Sequence, residues 1–116
     1  MIEPMMRGEV WTQSGGPDYT GKPRPVVIMQ SDDLTDTHSI ITCGLTTQRS
    51  PALYARPHIE PTPSNGLREK SEVMTDKIST VARTKLGERL GTLTGDDMAR
   101  IEQALILVLG FEELAI

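Results

Sequence analysis

Apolar and polar residues alternate along most of this chain at the two-residue period of a strand, and the period changes once, near the end. Residues 8–13 (GEVWTQ) alternate and predict a half-buried strand, with Trp11 as a core anchor. Residues 26–29 form a continuous apolar run of strand length. Residues 39–47 are rich in β-branched side chains and predict a third strand ending in two hydroxyls, Thr46 and Thr47. Residues 54–61 carry prolines, which confines a strand there to a sheet edge. Residues 71–78 alternate again, and residues 88–93 predict the last strand. Between these lie a Gly-rich loop at 14–21 and an acidic connector at 31–36 with one helical turn capped by Ser31. Further on come a turn at 62–67, whose Asn65-Gly66 is the strongest local hairpin signal, and a single helical turn at 83–86.

After Leu93 the period becomes helical. Thr94 can cap a helix, Asp96 and Asp97 suit its first turn, Met98, Ile101, Leu105 and Val108 recur at helical spacing, and Gly110 can close it. From 104 to 109 the helix is apolar on every side, so one face packs on the sheet and the other calls for a second cover. A second copy of the chain is the simplest cover, which predicts a homodimer. Several short strands followed by one terminal helix predict a mainly β fold, a small, strongly bent antiparallel sheet or barrel.

Composition narrows the function. The 116 residues suffice for one compact domain, 1–116, and not for two. The net charge is −4, so any hold on a polyanion must come from a local basic patch. Few aromatic residues are present, which argues against broad stacking platforms for single strands. Cys43 is the only cysteine, which excludes an internal disulfide and fits a reducing cytoplasm. Glu3 and the lack of a long apolar segment near it argue against a signal peptide, and no apolar run approaches the roughly 20 residues of a membrane span. Two scattered histidines and one cysteine give no ligand spacing, so neither a metal nor another cofactor is expected.

Most of the chemistry gathers around Gly21-Lys22-Pro23-Arg24-Pro25-Val26-Val27. Each proline fixes its own φ at about −65° and pushes the preceding residue toward extended geometry, so Arg24 is held stiffly at the mouth of a strand. An arginine at a strand start is most often a solvated surface charge. Here its neighbours complete a pattern.

In order, Arg7-Gly8-Glu9-Val10-Trp11, Lys22-Pro23-Arg24-Pro25-Val26-Val27, Gly44-Leu45-Thr46-Thr47, the 71–78 segment, Arg83-Thr84-Lys85-Leu86-Gly87 and Gly91-Thr92-Leu93-Thr94 resemble the MazF/PemK toxins over nearly the whole chain. The resemblance implies an SH3-like barrel that acts as a homodimer, cuts single-stranded RNA without metal and is inhibited by a cognate antitoxin. The arginine of the family's R-P-V-V motif falls on Arg24. The threonine of its P-[LI]-T-S motif falls on Thr46, with Thr47 at the serine and Gly44 at the proline. Where some members carry R-C-D, this chain reads Met74-Thr75-Asp76, so the aspartate is kept and the arginine is absent.

Metal-free cleavage needs the RNA 2′-OH to attack the adjacent phosphorus, with negative charge gathering on the phosphoryl oxygens. A rigid guanidinium stabilises that charge bidentately, which is the role expected of Arg24. Thr46 positions the phosphate or the 2′-OH. Asp76 is the expected general base or reader of a base edge, unless it is simply paired with Lys77 or Arg24. Lys22 and Lys77 are expected phosphate contacts, Tyr19 a stacking residue, and Asp18, Thr47 and Gln48 further substrate contacts. Two other readings fit the same residues: a CcdB-like toxin of the same architecture that binds gyrase, and a catalytically weakened relative kept for binding.

Overall fold

The computed structural model describes residues 4–14, 22–51 and 55–111. Seven strands among them form a strongly curled antiparallel sheet: β1 (Glu9–Gln13), β2 (Arg24–Ile28), β3 (Ser39–Thr46), β4 (His58–Ile59), β5 (Ser71–Val73), β6 (Ser79–Ala82) and β7 (Leu86–Thr92). The order across the sheet is β4-β5-β3-β2-β1-β7, with β6 also paired to β3. The single α-helix among the described residues, α1 (Gly95–Leu109), packs against the half-barrel.

Alternation along the central strands sends side chains to two separate cores. Val10, Val27, Cys43, Leu45, Ile59 and Val73 meet Ile101 of α1 on one face. Trp11, Val26, Ile28, Ile40 and Leu86 cluster on the other. Both clusters are well buried, so β1, β2 and β3 are covered on each side. Register shifts where β1 meets β7, on either side of Trp11, help to curl the sheet. Glu9 is buried with its carboxylate satisfied: it accepts from Met6 N–H at 2.8 Å and Trp11 Nε1–H at 3.1 Å, and Arg89 Nε lies 3.3 Å from its second oxygen.

The helix ends follow the sequence signals. Thr94 accepts from Asp97 N–H at 3.1 Å, Asp96 and Asp97 occupy the first turn, and Gly110 takes the left-handed conformation with φ 75°. Ile101 and Ala104 are buried, whereas Leu107 is 57% exposed.

Four expectations are corrected. The strand predicted over 71–78 stops at Val73, because Thr75 turns inward, is fully buried and donates its hydroxyl proton to the Ala55 carbonyl. Residues Thr75–Lys77 instead form a 3₁₀ turn, after which β6 begins as a separate and mostly exposed strand that the apolar pattern does not reveal. Asn65-Gly66 is not a two-residue hairpin. Asn65 is buried, accepts from Thr62 N–H and Leu67 N–H at 3.0 Å each, and donates to the Glu60 carbonyl at 2.9 Å, so its side chain forms the scaffold of a wide loop. Ser31 caps a turn, not a helix, by accepting from Asp33 N–H at 3.2 Å. The strand expected from Tyr54 onward shortens to β4 at the sheet edge, and Tyr54 itself lies outside the described residues.

Asn65→Ala removes the buried side chain that partners two N–H groups and a carbonyl at once. It is expected to lower stability by about 2–3 kcal/mol, read from the urea midpoint with an unchanged m value.

Candidate active site

The site begins where β1, β2 and β3 end together. Gln13 pairs with Arg24, Trp11 with Val26, and Val26 with Gly44. The β2–β3 register carried two residues further sets Arg24 opposite Thr46. Directly opposed residues share a face. Gln13, Arg24 and Thr46 therefore lie on the same side of the sheet as Trp11 and Val26, away from α1.

A cleft of about 180 Å³ opens there, walled by Gln13, Arg24, Thr42, Gly44, Met74 and Lys77. Pro25 follows Arg24 within β2 and has no N–H to offer, which is tolerated because the strand end is free of the ladder on that side. The Thr46 hydroxyl oxygen accepts from Gln48 N–H at 3.2 Å. That bond uses a lone pair and leaves the hydroxyl proton to donate to a ligand. Thr47 and Gln48 are exposed just beyond it, and Lys22 is exposed just ahead of β2. Gly44 is where β3 passes beneath Met74: its carbonyl accepts from Met74 N–H at 2.9 Å, and a Cβ on it would come within 2.7 Å of Met74 Cε.

The expected residues are thus divided. Arg24 and Lys77 wall one cleft, Thr46 stands in line with Arg24, and Lys22, Thr47 and Gln48 are at its approaches. Asp18 and Tyr19 lie outside the described residues. Asp76 is not brought to the cleft. Its carboxylate is held by Arg56 in a two-bond fork, Nε to Oδ1 at 2.9 Å and Nη2 to Oδ2 at 3.0 Å. The partner comes from neither Lys77 nor Arg24, the two expected from the sequence. The 3₁₀ turn explains the division: successive residues on so tight a turn point in different directions, Lys77 into the cleft and Asp76 toward Arg56. Among the described residues that wall the cleft there is no carboxylate.

Hydrogen bonding to Arg56 holds the Asp76 carboxyl below its usual range. The Asp76 bond in turn raises Arg56. On the helix side, burial and the nearby Asp76 charge push the Cys43 thiol up to about 12, so it is inert as a nucleophile. Sequence reasoning missed Gln13 and Arg56. Gln13 becomes visible only once the β1–β2 register is known, and Arg56 lies twenty residues from its partner. No group of three or more His, Cys, Asp or Glu side chains comes together as a metal site among the described residues. None of their helices is long and apolar enough to cross a membrane.

A second, larger concavity of about 720 Å³ runs beside α1, walled by Pro57, Ala104, Leu107 and Phe111. It is mainly apolar and holds none of the expected catalytic side chains. Leu107, Leu109 and Phe111 all stand exposed along this end of the helix.

A curled antiparallel half-barrel carrying one helix, with an arginine and hydroxyls at one strand end, defines a small mainly β fold with a candidate anion-binding cleft. The sequence profile of the "PemK-like, MazF-like toxin of type II toxin-antitoxin system" matches residues 6–109, and the chain belongs to that family. It is 43% identical over 106 residues to "Probable endoribonuclease MazF" of Mycolicibacterium smegmatis, covering 91% of this chain and 97% of that protein. Among solved structures, an endoribonuclease in complex with its cognate antitoxin from a mycobacterial species superposes with a TM-score of 0.76 at 26% identity, over 93% of this chain and 97% of that one. The MazE–MazF structure from Deinococcus radiodurans shares the fold, with a TM-score of 0.78 at 17% identity over 96% of this chain and 100% of that one.

The Arg56–Asp76 fork is testable through pH. A carboxyl lowered by folding stabilises the native state at neutral pH, and that contribution is lost as pH falls through the folded-state value. Asp76 is 42% exposed, so the pair contributes only about 1 kcal/mol after solvent screening. Asp76→Asn is expected to cost that much at pH 7 and nothing at strongly acidic pH, where chemical denaturation of the two proteins should coincide.

Proposed function

We propose that this chain is a sequence-specific, metal-independent endoribonuclease, the toxin of a type II toxin–antitoxin pair, acting as one domain in the cytoplasm on single-stranded RNA. The observation that carries the reading is Arg24 in the wall of the cleft, with the β2–β3 register running on from it toward Thr46. In the reaction the 2′-oxygen forms a bond to the adjacent phosphorus and the bond from phosphorus to the 5′-oxygen breaks. The products are a 2′,3′-cyclic phosphate and a 5′-hydroxyl. Arg24 stabilises the charge that builds on the phosphoryl oxygens, and its extended, proline-flanked backbone keeps the guanidinium preorganised. Thr46 donates its free hydroxyl proton to the phosphate or the 2′-OH and fixes the line of attack. Lys77 in the cleft and Lys22 at its approach neutralise flanking phosphates. Asp76 acts at one remove, holding the turn that presents Lys77.

The M. smegmatis relative bears the name of an endoribonuclease, and the mycobacterial neighbour was solved with its cognate antitoxin; both support this reading. A second copy of the chain covers the apolar end of α1, and a cognate antitoxin folds onto the dimer as an inhibitor.

The test is cleavage of a long mixed-sequence RNA in excess chelator. Wild type should give discrete fragments with cyclic-phosphate ends. Arg24→Ala should slow their appearance about a hundredfold or more, with unfolding midpoints unchanged. DNA of the same sequence should stay intact, since it has no 2′-OH. RNA left whole by folded wild type would reject the ribonuclease reading in favour of a gyrase-binding or purely binding toxin.

A further inference from the structure

The polar row through Arg24 continues beyond Thr46. Thr46 pairs with Glu72, and Glu72 with His58, so Gln13, Arg24, Thr46, Glu72 and His58 follow one another across five strands on a single face. The alternate positions confirm the face: Leu45 pairs with Val73 and both enter the core under α1, as does Ile59. At about 4.8 Å per strand, roughly 14 Å separates the Arg24 and His58 backbones, a distance that extended single-stranded RNA covers in a few nucleotides.

The far end of the row opens into a second cleft of about 230 Å³, walled by Thr47, Arg49, His58, Glu69, Lys70 and Glu72. Glu72 is only 3% exposed, and its carboxylate is fully engaged. It accepts from Ser50 N–H at 3.1 and 3.2 Å, and Oε2 stands 3.1 Å from His58 Nε2. A carboxylate is retained at such depth only with partners of this kind. Glu72 thereby fixes the loop that follows Thr46 and commits one nitrogen of the His58 ring, leaving the other for a ligand. Arg49 has no ion-pair partner among the described residues, while Lys70 is engaged by Glu60 at 3.4 Å. The cleft holds two cations and two carboxylates. That balance suits a neutral nucleobase with donors and acceptors on its edge, where a phosphate would call for net positive charge.

The geometry points to a second base-reading subsite in this cleft, in which Arg49 and His58 hydrogen-bond the edge of a nucleotide flanking the one cut beside Arg24. The inference rests on the ribonuclease reading. Arg49 presents a planar fork to the base edge, His58 is held in place by Glu72, and Thr47 adds a hydroxyl from just beyond the end of the strand that carries Thr46. The subsite contributes sequence preference, while the chemical step stays at Arg24.

The test is sequencing of all fragment ends from a random-sequence RNA cut by wild type, Arg49→Ala, Arg49→Lys and His58→Gln, each first checked for a native unfolding midpoint. In Arg49→Ala, preference at one position outside the scissile dinucleotide should fall about tenfold, with cutting of a dinucleotide substrate unchanged. Arg49→Lys should behave likewise, because it keeps the charge and loses the fork. His58→Gln should weaken the preference at that same position. Wild-type preference in all three variants, an equal slowing at every site, or full rescue by Arg49→Lys would overturn the subsite while leaving the ribonuclease intact. Wild type that cuts no RNA would instead remove the reading on which the subsite depends.

Discussion

The structure turns on a change of partner along the outer edge of β3. Its first residues, Ser39 to Thr42, pair with β6, and its last two, Leu45 and Thr46, pair with β5. The backbone groups between them still need partners, because a buried amide or carbonyl left unpaired is costly. Met74 supplies one by donating its N–H to the Gly44 carbonyl, and the chain then doubles back through the 3₁₀ turn to begin β6. That exchange accounts for the split between neighbouring residues: Lys77 reaches the Arg24 cleft, and Asp76 leaves it for Arg56.

Two-sided burial supplies the second constraint. Val27, Cys43 and Leu45 must face α1, which obliges Arg24, Val26 and Thr46 to face the other way. A slip of one residue in the β2–β3 register would turn Arg24 toward the α1 core and exchange the residues of the two apolar clusters, so packing on both faces holds the register firmly. The alignment of a cation and a hydroxyl at the strand ends is therefore a by-product of packing. It needs no dedicated fold energy of its own.

Much of this was legible in the residues. Thr94 and Gly110 mark the helix because capping is local chemistry, and the apolar alternation around Trp11, Val26 and Cys43 marks the strands because burial is periodic. The stiffness of Arg24 follows from two prolines beside it. What escaped depends on contacts distant in sequence. The alternation across 71–78 reads as one strand, yet the Ala55 carbonyl draws Thr75 inward and ends it. The apolar pattern says nothing of β6, whose residues are mostly exposed. Asn65 reads as a turn residue from its neighbour Gly66, while its actual work is done at Glu60, Thr62 and Leu67. Asp76 is marked by its motif position, but a motif does not reveal that Arg56 will occupy the carboxylate.

The contact between Gly44 and Met74 makes these two positions a single steric unit, although thirty residues separate them. Any side chain at 44 would enter space that the methionine now fills, so the fold can accept a larger residue there only if position 74 shortens or swings aside. Change at either position is thus conditional on the other. Drift in this corner of the cleft should proceed by paired steps, with the order of substitutions set by which intermediate avoids the clash.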